Sequence, residues 1–106
     1  MKYNKLVRDK IPEIIKNNGE IPITHIASDN EYFRKLKDKL QEEVDEFLKD
    51  SNKEELVDIL EVIYSLSDFY KIDKTELERL CKDKAEKRGR FKDKIILDET
   101  KKPLRS

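Results

Sequence analysis

Between residues 28 and 50 apolar side chains recur at Phe33, Leu36, Leu40, Val44 and Phe47, with polar residues filling the intervals. Spacings of three and four hold these side chains within one stripe at about 100° per residue, so the pattern predicts an amphipathic helix. Ser28 stands three residues ahead of Glu31, the arrangement of a reciprocal capping box, and the helix should run from there to near Asp50. A second such pair, Ser51 with Glu54, opens another helix at once and leaves a connection of only a few residues. Helices joined so closely pack as antiparallel neighbours.

The second helix differs in kind. Leu56, Val57, Ile59, Leu60, Val62, Ile63, Tyr64 and Leu66 point in nearly every direction around its axis, which predicts the core helix of the domain or of its dimer. Ahead of the hairpin, Pro12 and Gly19 bracket a short helix of about two turns. Residues 21–27 alternate like a strand, but Pro22 and the lack of a partner strand make them an extended loop. After the hairpin a third long helix starts at Asp73 and stops at Gly89, with Leu77, Leu80, Cys81 and Lys84 on one face. The expected fold is all-α: a helical hairpin plus a third helix, forming a bundle completed by dimerisation, in a single domain over residues 1–106 with 98–106 a mobile tail.

Composition narrows the function classes. Only 36% of residues are hydrophobic and 45% are charged, a thin supply of core for so short a chain, which favours a homodimer or homotetramer. Lys and Arg balance Asp and Glu at 24 each, so no net positive field points to nucleic acid. No apolar segment approaches the roughly 20 residues needed to cross a bilayer. The single cysteine, Cys81, and an N-terminus without a signal-like apolar stretch read as cytoplasmic.

Against that background the acids on the apolar helix stand out. Glu55, Asp58 and Glu61 interrupt an otherwise apolar surface, and buried charges need partners. Glu55 and Asp58, three apart, form an acidic ladder; on the preceding helix Glu43 and Glu46, also three apart, lie at the edge of the apolar stripe. With the hairpin tip near residues 50 and 51, Glu46 and Glu55 fall about one turn from it, and Glu43 and Asp58 about two. Antiparallel packing brings the pairs level, and four carboxylates on facing flanks then converge on one or two cations; oxygen-only ligation suits Mg²⁺ or Mn²⁺. The competing interpretation is a set of surface acids in a charge-rich chain, and it weighs more on Glu43 and Glu46 than on Glu55 and Asp58. A di-iron carboxylate bundle is a further metal alternative, but it uses Glu-x-x-His pairs, and the only histidine, His25, lies outside the long helices. His25 reads as structural or exposed, and Tyr32 and Phe33 as packing residues.

The two acidic pairs, in LQEEVDEF and EELVDILEV, resemble the signature of the MazG-like all-alpha nucleoside triphosphate pyrophosphohydrolases, Glu-x-x-Glu on one helix and Glu-x-x-Asp on the next. YNKLVRDKIPEII near the start and KAEKRGRF near the end look like the phosphoribosyl-ATP pyrophosphohydrolase-like branch, so the resemblance runs from residue 3 to about 97. It implies Mg²⁺-dependent hydrolysis, with Mn²⁺ as a substitute, of a nucleoside triphosphate or a phosphoribosyl-ATP-like nucleotide to the monophosphate and pyrophosphate, in a nucleotide-pool house-cleaning role. Glu43, Glu46, Glu55 and Asp58 would hold the metal, with Glu43 or Glu46 as the base that takes the proton of the attacking water. Lys84 and Arg88, four apart on the third helix, and Lys39 beside Glu43 would bind phosphate; solvated basic positions are the competing interpretation. Asn4, Lys5 and Arg8 would contact ribose, base or phosphate. Only eight residues separate Glu46 from Glu55, fewer than the family commonly places there, so base selection would fall to the N-terminal segment or a neighbouring subunit. The rival from another class is a non-catalytic helical regulatory or interaction module that keeps the fold without turnover.

Overall fold

A computed structural model describes residues 2–104. Among the described residues it is all-α, with four helices and no strand. In chain order these are α1 (Ile11–Asn17), α2 (Asp29–Asp50), α3 (Lys53–Phe69) and α4 (Lys74–Arg88). The chain divides into two compact units, Met1–Lys74 and Thr75–Ser106.

In the first unit the helix boundaries follow local chemistry. Pro12 sits in the first turn of α1, where its missing N–H costs nothing, and the chain leaves the helix through Gly19 at φ 88°. Ser28 caps α2, its Oγ accepting from the Glu31 amide at 3.3 Å. The box is not reciprocal, because the Glu31 carboxylate lies 2.9 Å from His25 Nε2 instead. His25, exposed as the sequence suggests, thus has an acid partner.

The tip of the hairpin departs from expectation in an informative way. Ser51 does not cap α3; it ends α2 in the left-handed region at φ 52°, its amide donating to the Phe47 carbonyl at 2.8 Å. Asn52 caps α3, its Oδ1 accepting from the Glu54 amide at 3.0 Å. One residue closes a helix and the next opens one, so two residues make the whole connection.

The hairpin is antiparallel, since the start of α2 meets the end of α3. Phe33 stacks on Phe69 with ring centroids 4.8 Å apart, and Tyr32 meets the same ring edge-on at 6.2 Å. Among the described residues Leu36 and Val62 are the buried apolar side chains, and Leu40, Val44 and Phe47 continue the predicted stripe, half-buried. The buried Ser67 hydroxyl donates to the Ile72 carbonyl at 2.6 Å, closing the turn after α3. Although α3 is apolar almost all round, Leu56, Val57, Leu60 and Ile63 stay exposed along one face. Residues 21–27 form no regular secondary structure, as expected, and Ile21, Ile23 and Ile26 are almost fully exposed.

The second unit consists of most of α4 and the chain beyond it. Arg79 bridges Glu76 at 3.4 Å and Asp83 at 3.1 Å along the helix, and Gly89 at φ 82° ends it as the sequence predicts. Residues 98–104 carry no regular secondary structure; residues 105 and 106 of the expected tail lie outside those described. Among the described residues no helix is long and apolar enough to cross a membrane.

Candidate metal centre

The hairpin places acids from both long helices against one another. Glu43 of α2 and Glu55 and Asp58 of α3 each present a carboxylate oxygen within 4.8 Å of the others. Burial of the three is unequal and reverses the order expected from the sequence. Glu43, expected at the edge of the seam, is only 6% exposed, whereas Glu55 and Asp58 on the apolar helix are half-buried. Glu46 stands outside this group of three but lies against Glu55.

Charge is compensated on some of these oxygens and not on others. Lys39 Nζ lies 3.3 Å from Glu43 Oε1 and 3.4 Å from Glu42 Oε2. Arg8 Nη2 donates to Asp58 Oδ1 at 2.8 Å, and its Nη1 lies 3.8 Å from Glu61. Glu43 Oε2 and Glu55 Oε2 are buried and, among the described residues, have no hydrogen-bond partner. Buried carboxylate oxygens without donors are costly, and a cation is the partner that would satisfy both.

Glu55 carries the electrostatic signature of this crowding. Desolvation pushes its pKa up from 4.5 to about 7, reinforced by the charge and hydrogen bonding of Glu46 and then of Glu43. Glu42, next to Glu43 on α2, moves the other way: partial burial raises it, but Lys5 and Lys39 outweigh that and hold it below its ordinary value.

A cleft of about 500 Å³ opens beside the acids. Leu6, Val7 and Ile11 from the N-terminal segment, with Tyr32, give it apolar walls; Arg8, Lys39, Glu43, Asp58 and Glu61 line it with charge. Tyr32, taken from sequence as packing, both packs and lines this cleft.

The remaining expected site residues are distributed as follows. Lys39 is at the site, paired with Glu43. Arg8 is there too, but bound to a carboxylate. Lys5 pairs with Glu42 at 3.2 Å, and Asn4, at φ 53°, offers its carbonyl to Lys35 Nζ at 2.7 Å, so both fasten the N-terminal segment to α2. Lys84 and Arg88 are exposed residues of the second unit. Glu61 was visible in sequence as an acid on the apolar helix, but only the approach of Arg8 marks it as part of the cleft.

No protein-family profile matches the chain, and no solved structure does so significantly. Among curated proteins it is similar to an uncharacterized protein of Mycolicibacterium smegmatis (strain ATCC 700084 / mc(2)155), 50% identical over 42 residues. That stretch covers 40% of this chain and 43% of the relative, so the match spans less than half of either protein.

Proposed function

We propose that the chain is a divalent-metal-dependent nucleotide pyrophosphohydrolase of the MazG-like kind, converting a nucleoside triphosphate or phosphoribosyl-ATP-like nucleotide to the monophosphate and pyrophosphate. The observation that carries this is the pair of buried, unpartnered oxygens on Glu43 and Glu55, grouped with Asp58 beside a cleft with both apolar and charged walls. All-oxygen donors suit Mg²⁺ or Mn²⁺ held by Glu43, Glu55 and Asp58. Such an ion offsets phosphate charge and makes water a better nucleophile at neutral pH.

The chain's own groups divide the remaining work. The cleft's apolar wall suits a base or sugar, and Lys39 and Arg8 supply positive charge for the polyphosphate. Glu46 adjoins Glu55 without belonging to the group of three, which favours it over Glu43 as the base. Water oxygen bonds to the α-phosphorus, the bond from that phosphorus to the bridging oxygen breaks, pyrophosphate leaves, and Glu46 takes the water's proton.

Assembly belongs to the same proposal. Leu56, Val57, Leu60 and Ile63 form an open apolar face on α3, which favours a homodimer or homotetramer. The exposed, unpaired Cys81 suits a reducing cytoplasm. The test is pyrophosphate release from a panel of ordinary and damaged nucleoside triphosphates with Mg²⁺. Metal-dependent release from at least one is expected; no release from any, with no effect of metal on melting temperature, sinks the enzyme and leaves the helical interaction module.

A further inference from the structure

We propose that Arg8 is a surrogate cation for the acidic group: its guanidinium occupies Asp58 while no divalent ion is bound, and it is handed to the ligand's phosphates when the ion arrives. This rests on Glu43, Glu55 and Asp58 being the metal ligands.

The three acids are neutralised in different ways. Glu43 has Lys39 on one oxygen, and Glu55 has the Glu46 and Glu43 carboxyls beside it; among the described residues each keeps one buried oxygen unpartnered. Among the described residues, Asp58 is the one of the three held by a cation from another part of the chain, through the 2.8 Å bond from Arg8. An ion drawing on all three acids must share Asp58 with that guanidinium, and two cations on one carboxylate repel.

The surroundings of Arg8 let the side chain leave while the backbone stays. Its carbonyl accepts from the Ile11 amide at 3.0 Å, at the entry to α1. Just before it, Lys5 is tied to Glu42 and the Asn4 carbonyl to Lys35. The guanidinium itself is half exposed, lines the cleft, and already reaches towards Glu61 at 3.8 Å. Its planar fork matches phosphate oxygens as well as it matches a carboxylate. Phosphate that captures Arg8 removes the metal's competitor, so ligand and metal each tighten the binding of the other.

The experiment is calorimetric titration of Mn²⁺ into metal-free protein, followed by titration of inorganic pyrophosphate at saturating Mn²⁺, for the wild type, Arg8→Gln, Arg8→Lys and Glu55→Gln. Arg8→Gln should bind Mn²⁺ more tightly, on the order of threefold to tenfold, and pyrophosphate more weakly by a similar factor. Arg8→Lys should fall between it and the wild type. A merely structural arginine would weaken both steps when removed, and Mn²⁺ affinity that is unchanged or lower in Arg8→Gln overturns the exchange. If wild type and Glu55→Gln alike fail to bind Mn²⁺, the metal assignment itself falls and the exchange with it.

Discussion

Glu55 of α3 lies against Glu46 of α2, and that proximity, added to desolvation, holds the Glu55 pKa at about 7. Near pH 7 in the absence of metal, that carboxyl is therefore only partly ionised, in a place where a cation would offset the negative charge.

Replacing Glu55 by glutamine removes the repulsion without removing the shape. The melting temperature of metal-free protein should rise by a few degrees, while stabilisation by Mg²⁺ is lost and turnover falls by at least about a hundredfold. Thermal melts in chelator and in Mg²⁺, alongside a pyrophosphate-release assay, check both halves. Unchanged activity would contradict the assignment.

The pH dependence follows from the same group. The folded pKa is raised above the ordinary 4.5, so the protonated carboxyl favours folding. Its contribution is fully present below about pH 4.5 and is lost as pH rises through about 7. Metal-free protein should lose stability between about pH 5 and pH 8 more steeply than Glu55→Gln does. Metal must displace that proton, so Mg²⁺ affinity should climb over the same window and proton release should accompany binding; calorimetry in two buffers of different ionisation enthalpy reads this directly.

Lys39 is the counter-charge of the most buried acid. Lys39→Met leaves Glu43 buried without it, a loss of about 1 to 3 kcal/mol in urea unfolding with chelator present. Saturating Mg²⁺ should recover most of that loss, because the ion supplies the missing positive charge. A loss of the same size with and without metal would mean that Lys39 acts only through packing.

Among the described residues Leu36, 2% exposed, is the one large side chain that is fully buried. Leu36→Ala should cost about 2 to 4 kcal/mol, large for a domain whose core is this small. Equilibrium urea unfolding measures it, and a cost below about 1 kcal/mol would show that the hairpin is held elsewhere.

The open face of α3 gives a prediction of a different kind. Leu60→Asp should leave helix content intact by circular dichroism while lowering the mass measured by light scattering, if this face joins two copies. A wild type that is already monomeric would refute the assembly.

Much of this arrangement is legible in sequence because helix ends and apolar spacing are local properties. Ser28, Pro12, Gly19 and Gly89 mark boundaries through their own backbone preferences, and the three- and four-residue spacing from Phe33 to Phe47 defines a face. The acidic pairs were visible because Glu55 and Asp58 interrupt an apolar run. What sequence did not provide depends on distance along the chain. Arg8 reaches Asp58 across 50 positions, and nothing near either residue announces the other. The burial of Glu43 likewise depends on what the partner helix and Lys39 cover. At the tip, Ser51 and Glu54 have capping-box spacing, but Ser51 is taken up by the end of α2 and Asn52 does the capping.

The two-residue link of Ser51 and Asn52 has a consequence for how the chain tolerates change in length. A spacer without slack works as a gauge: it sets how far each helix has advanced when the acids come opposite one another. One residue added within α2 between Glu46 and Asp50 would turn Glu43 by about 100° relative to Glu55 and shift it by about 1.5 Å, separating groups that now meet. The same residue added to the irregular stretch at 21–27 would leave the hairpin untouched. Insertions in related chains should therefore gather ahead of Ser28 and be excluded between Glu43 and Asp58, unless they arrive at the tip in a form that lets both helices keep their phase.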